Sequence, residues 1–208
     1  MFGANASAAF GAVSVDGFVL YQSTVGLTAK HQNGFAANAS VKAKAGVGTV
    51  KASMLYTSGG DRNVFVTTYN ETSPAYMESG VFSDANSILL FRGNGYRTSN
   101  TDQSIIPDAS NKGAGVTALF IGYDGAINKT FFNINSAFVS DSKNGGNGTT
   151  ASYAGTEING EIGYKLYDNL KLSVQGALVF LGPKYSHTDG AEYANSPYLG
   201  RVILGYNF

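Results

Sequence analysis

Apolar and polar residues alternate with a period of two along most of the chain, most clearly from Thr156 to Leu166. There Ile158, Gly160, Ile162, Tyr164 and Leu166 interleave with Glu157, Asn159, Glu161, Gly163 and Lys165. Successive side chains of a strand point to opposite faces, so the pattern predicts one apolar and one charged face. The next stretch repeats it, with Leu170, Leu172, Val174, Gly176, Leu178 and Phe180 set against Lys171, Ser173 and Gln175. Polar residues are odd-numbered in both strands, so facing partners must sum to an even number and the connecting loop must be odd in length. Tyr167, Asp168 and Asn169 supply such a loop.

Extended over the whole chain, the alternation predicts ten strands, at 4–15, 18–29, 35–45, 49–57, 82–92, 114–123, 130–140, 156–166, 170–181 and 197–208. Each is near the roughly 9–11 residues with which a tilted strand crosses a bilayer. Turns are expected at Asp16-Gly17, Asn33-Gly34 and Gly46-Val47-Gly48, where glycine follows or flanks a turn-forming residue. Longer connections at 58–80, 93–113, 141–152 and 182–196 are rich in Gly, Asn, Ser, Thr and Asp. The expected fold is all-β: an antiparallel up-and-down (meander) transmembrane β-barrel of about ten strands, or the carboxy-terminal part of a larger barrel. One conflict stands inside this reading. Counting back from the carboxy terminus puts 58–80 on the end of the barrel where turns are short, opposite the other long connections. An additional strand from Asn63 to Tyr69, giving eleven, would remove it.

Composition narrows the function classes. The 208 residues carry 14 basic and 14 acidic side chains and no cysteine, with 27 Gly, 13 Tyr and 13 Phe. Zero net charge offers no footprint for nucleic acid, and the missing thiols exclude a disulfide framework or a thiolate site. No apolar run approaches the roughly 20 residues of a membrane-spanning helix. The opening MFGANASAAFGAV lacks the basic and continuous apolar segments of a signal peptide. The expectation is a chain already processed for export, or one shortened ahead of Met1.

Little in the chain points to chemistry. The two histidines, His31 and His187, are far apart and have no neighbouring carboxylate motif. GNG at 93–95 and GAG at 113–115 read as turn glycines. Asp102, Asp108, Asp141 and Asp189 form no dense calcium-binding series. Glu157 and Glu161 share a strand face, but four strand residues separate them by roughly 13 Å, beyond usual glycosidase spacing. No catalytic residue, metal or cofactor is expected. Charged strand residues suit a wetted lumen better than lipid, so Lys42, Lys44, Lys51, Asp84, Arg92, Glu157, Glu161, Lys165, Lys171 and Arg201 are expected to line one. Lysine outnumbers carboxylate in that set, which implies a mild anion preference. Aromatics near strand ends, namely Phe18, Tyr56, Phe91, Tyr123, Phe132, Tyr164, Tyr198, Tyr206 and Phe208, are expected to form interfacial girdles.

The last strand carries Val202, Leu204, Tyr206 and Phe208 on its apolar face, so the final residue is an aromatic at the end of an apolar stripe. RVILGYNF resembles the carboxy-terminal signal read by the outer-membrane barrel assembly machinery, with Tyr206 and Phe208 as its aromatics. GTEINGEIGYKLYDNLKLSVQGALVFLG and YTSGGD resemble porin-type barrels of metal-reducing deltaproteobacteria, related in style to alginate-export porins. That resemblance covers most of the chain. It implies a bacterial outer-membrane porin for small hydrophilic solutes, with outer-membrane lipid around it, acting as a homo-oligomer or beside a missing amino-terminal half. The rival expectation is a structural or adhesive protein, outer-membrane or secreted to the cell surface. Such a protein would display its loops or assemble through its sheet edges.

Overall fold

The computed structural model describes residues 1–25, 31–60, 64–65, 87–91, 104–106, 109–143, 152–185 and 196–207, without the side chains of 24, 25, 31, 32 and 112. Among the described residues, nine antiparallel strands form one sheet in strict chain order. They are β1 (Phe2–Phe10), β2 (Val13–Val25), β3 (His31–Ala45), β4 (Gly48–Thr57), β5 (Thr117–Ile127), β6 (Thr130–Ser140), β7 (Tyr153–Tyr167), β8 (Leu170–Leu181) and β9 (Tyr198–Tyr206). The all-β meander expected from alternation is therefore present, with nine strands instead of ten. β1 and β9 border the sheet and do not pair with each other. No helix among the described residues is long and apolar enough to cross a membrane.

The difference in count falls at the predicted strand 82–92, of which 87–91 are described. This part, Ser87–Phe91, joins no strand of the sheet, and Phe91 makes only an isolated parallel bridge to Ile106. Direct pairing of β4 with β5 removes the parity conflict. The predicted loops 58–80 and 93–113 belong to a single connection, 58–116, between the neighbouring strands β4 and β5. Every long connection then lies at one end of the sheet. At the other end are four two-residue turns: Gly11-Ala12, Gly46-Val47, Asn128-Lys129 and Asp168-Asn169. Of the proposed strand at Asn63–Tyr69, Val64 and Phe65 are described and are not strand, and the rest lies outside the described residues.

Two glycines expected in turns lie inside strands. The first turn is at Gly11, whose φ of 61° suits glycine, while Asp16 and Gly17 lie inside β2. A Cβ on Gly17 would come within 2.6 Å of the Asn38 carbonyl oxygen on β3, so this glycine serves close approach. Asn33-Gly34 likewise lies inside β3, where a Cβ on Gly34 would meet the Val64–Phe65 backbone at 2.7 Å. Gly113 and Gly115 do act as turn glycines, with φ of 92° and 67°.

β7 and β8 pair with the expected parity: every pair from Gly155↔Leu181 to Lys165↔Lys171 sums to 336. The odd residue comes from a bulge between Lys165 and Tyr167, followed by a two-residue turn, not from a three-residue loop.

Candidate functional site

Register divides the sheet into two unlike faces. Pairing brings Lys42 opposite Lys51, Asp124 opposite Asn133, Asn133 opposite Glu161, Glu161 opposite Gln175, and Gln175 opposite Arg201. Because directly paired residues share a face, these side chains all project to one side. The strands contain ten Asp, Glu, Lys or Arg residues: Asp16, Lys42, Lys44, Lys51, Asp124, Glu157, Glu161, Lys165, Lys171 and Arg201. All ten lie on that face, and none lies on the opposite one.

The uncharged face is apolar and open. Ile134, Ile162, Val174 and Val202 are 60%, 59%, 54% and 70% exposed. Its middle is aliphatic, and its aromatics fall into two bands. Tyr21, Phe35, Tyr56, Phe138, Phe180 and Tyr198 lie toward the long connections; Phe10, Tyr123, Phe132, Tyr164 and Tyr206 lie toward the short turns. Two of the expected girdle residues do not belong. Phe18 pairs with Asn5 and Asn38 on the charged face, and Phe91 is buried inside with its ring 5.8 Å from that of Phe120. Phe208 lies outside the described residues.

The charged face is covered where the 58–116 connection folds over it. Leu90, Phe91, Ile106 and Val116 from that connection pack on Leu55, Phe120, Ala137, Val139 and Val179 of the strands. Glu157 sits at the border of this apolar packing and is fully buried, so it is not the solvated group that the sequence suggested. Its Oε2 accepts from Ser87 Oγ at 2.8 Å and from the backbone N–H groups of Leu89 at 2.9 Å and Leu90 at 2.6 Å. Its Oε1 accepts from Ile88 N–H at 2.7 Å and Asn159 Nδ2 at 2.7 Å.

Toward the short turns the same face becomes an amide ladder. Asn135 Nδ2 donates to Asn133 Oδ1 at 2.9 Å and to Asn159 Oδ1 at 3.0 Å. Arg201 Nε donates to Gln175 Oε1 at 2.7 Å, and Gln175 Nε2 donates to Glu161 Oε2 at 3.4 Å. Glu161 is only 6% exposed, against the solvated position expected for it. Its Oε1, like Ser53 Oγ and Ser173 Oγ, has no hydrogen-bond partner among the described residues. Lys51 pairs with Asp124 at 2.6 Å, and Lys171 stands over the Phe131 ring at 5.9 Å. Of the predicted lining residues, Lys42, Lys44, Lys51, Glu157, Glu161, Lys165, Lys171 and Arg201 share this face, while Asp84 and Arg92 lie outside the described residues.

At the end with long connections, a buried ion pair escaped the sequence reading. Lys184 Nζ contacts Asp141 Oδ1 at 2.6 Å, with the two side chains 3% and 1% exposed. Asn111 Nδ2 donates to the same oxygen at 2.6 Å, so one carboxylate joins the β4–β5, β6–β7 and β8–β9 connections. Burial, together with the Asp141 carboxylate, pushes the Tyr185 phenol up to about 12. Local signals could not find this group, since its members are 30 and 43 residues apart. No protein-family model matches the chain, and no curated protein matches it either.

Proposed function

We propose that the sheet is wall from a bacterial outer-membrane barrel of porin type, a passive channel for small hydrophilic solutes that performs no chemistry. One observation carries this reading: all ten charged strand residues lie on one face, while the other is exposed, aliphatic in its middle and aromatic toward both ends. In water that arrangement would leave a large apolar surface uncovered; in a bilayer it is the low-energy one. Short turns at one end and long connections at the other fit the same reading. Outer-membrane lipid would meet the apolar face, and Tyr206 with Phe208 would present the signal to the barrel assembly machinery. Further strands in an amino-terminal half would complete the wall, whereas a homo-oligomer would join β9 of one copy to β1 of the next as a parallel seam.

The charged face carries six basic strand residues (Lys42, Lys44, Lys51, Lys165, Lys171, Arg201) against four acidic ones (Asp16, Asp124, Glu157, Glu161). This supports a mild anion preference. The full chain, refolded in detergent, should show heat-modifiable mobility on gels and then swell liposomes in isotonic sugar. Reversal potentials across a salt gradient should favour chloride over potassium. A chain that stays soluble without detergent, or vesicles that do not swell, would overturn the channel reading. The unpaired edges of β1 and β9 favour the adhesive alternative, which predicts concentration-dependent fibres instead of vesicle swelling.

A further inference from the structure

We propose that Glu157 is a latch: it holds the Ser87–Phe91 segment across the inside of the sheet and thereby sets the width of the channel. The proposal rests on the channel reading above. Ser87-Ile88-Leu89-Leu90-Phe91 has the composition of a strand. What turns it away from the sheet is the destination of its backbone donors. Three successive N–H groups, from Ile88, Leu89 and Leu90, converge on the Glu157 carboxylate at 2.7, 2.9 and 2.6 Å. Such a run of consecutive donors forms an anion-binding concavity, and donors used in this way cannot join a strand ladder.

The rest of the segment is satisfied by other partners. Ser87 Oγ donates to Glu157 and accepts from the Phe91 N–H at 2.9 Å. The carbonyls of Leu89 and Leu90 accept from Ile105 and Ile106 at 2.7 and 2.9 Å. Leu90 and Phe91 then seat in the apolar cluster beside Phe120. Removing the carboxylate would leave the part-buried N–H groups of Ile88 and Leu89 and the buried one of Leu90 unsatisfied, which disfavours the inward position specifically. Glu157 itself pairs with Ala137 on β6 and Val179 on β8, three and two residues from the ends of those strands that lead into long connections. The segment it holds therefore lies over the charged face near the end with long connections, where it would narrow that mouth of the channel.

The test uses the full chain reconstituted in lipid, comparing the parent with Glu157→Ala. Hydrogen exchange at the amides of residues 88–90 should accelerate about 10-fold or more on loss of these charge-assisted bonds, while amides of β6 and β8 keep their protection. Single-channel conductance should rise in the same variant. Unchanged exchange at 88–90 would overturn the latch, and faster exchange without higher conductance would overturn its control of width. If the parent protein does not conduct at all, the channel reading fails, and exchange still reads the latch separately. Should Glu157→Ala not fold, Glu157→Gln and Ser87→Ala keep the test alive. Both should accelerate exchange less than the alanine variant would, and no acceleration in either would count against the proposal.

Discussion

The two halves of the charged face are built from the same strands yet meet different surroundings. Toward the long connections this face carries the apolar residues Leu55, Phe120, Val139 and Val179, with Glu157 among them, and the 58–116 connection covers them. Toward the short turns, inward positions are Asn133, Asn135, Asn159, Glu161, Gln175 and Arg201, joined mainly through side-chain amides. β7 passes from one regime to the other within a few residues, from buried Ala154 to Glu161. Alternation decides which face a residue joins. The kind of residue at each inward position decides what can cover it: apolar side chains accept a folded segment, while amides need hydrogen-bonding neighbours.

Substitutions can break that contrast, and the largest effect is expected where a charge is buried among the connections. Asp141→Ala strands the Lys184 ammonium and should cost about 3–5 kcal/mol in denaturant unfolding. An unchanged midpoint would show that the ion pair does not organise that end. Phe120→Ala, in the apolar half, should cost about 3–5 kcal/mol through lost packing and the cavity left behind. Asn135→Ala, its polar counterpart, should cost only about 1–3 kcal/mol through broken amide bonds. Equal losses for these two would erase the distinction between the halves.

On the apolar face, Val174→Arg should destabilise the protein in lipid by about 2–4 kcal/mol if Val174 meets the bilayer midplane. The same change on a water-facing sheet should be near neutral, so folding titrations in vesicles separate the two. The smallest signal comes from Tyr185. Its folded pKa of about 12 lies above the ordinary 10, so the folded state holds this proton longer than the unfolded state. Its contribution is present below pH 10 and is lost as pH rises toward 12. Phenolate absorbance should show one late-titrating tyrosine, and its disappearance in Tyr185→Phe assigns it.

Sequence alone revealed the faces well, because a period-two pattern needs no knowledge of partners. Lys42 and Lys51, or Glu161 and Arg201, share a side whichever residue each one faces. Hairpin positions were less legible, since glycine serves both tight turns and close backbone approach; Gly17 and Gly34 do the second and were read as the first. The inward segment was hidden for another reason. Ile88, Leu89, Leu90 and Phe91 look like strand to any local reading, and the acceptor that redirects them lies 67–69 residues further along. Glu157 and Glu161 look alike as lining carboxylates, and only the tertiary course of 87–91 distinguishes them.

The odd number of strands in the sheet, nine among the described residues, has a consequence for its borders. In a meander, strand direction reverses at every step, so β1 and β9 run the same way. Their free edges could meet directly only as a parallel seam, a hydrogen-bond pattern found nowhere else between these nine strands. Inserting a hairpin would leave the mismatch in place, because two reversals cancel. A wall that is antiparallel throughout must place one, three or another odd number of strands between these edges, and the first of them must run opposite to both.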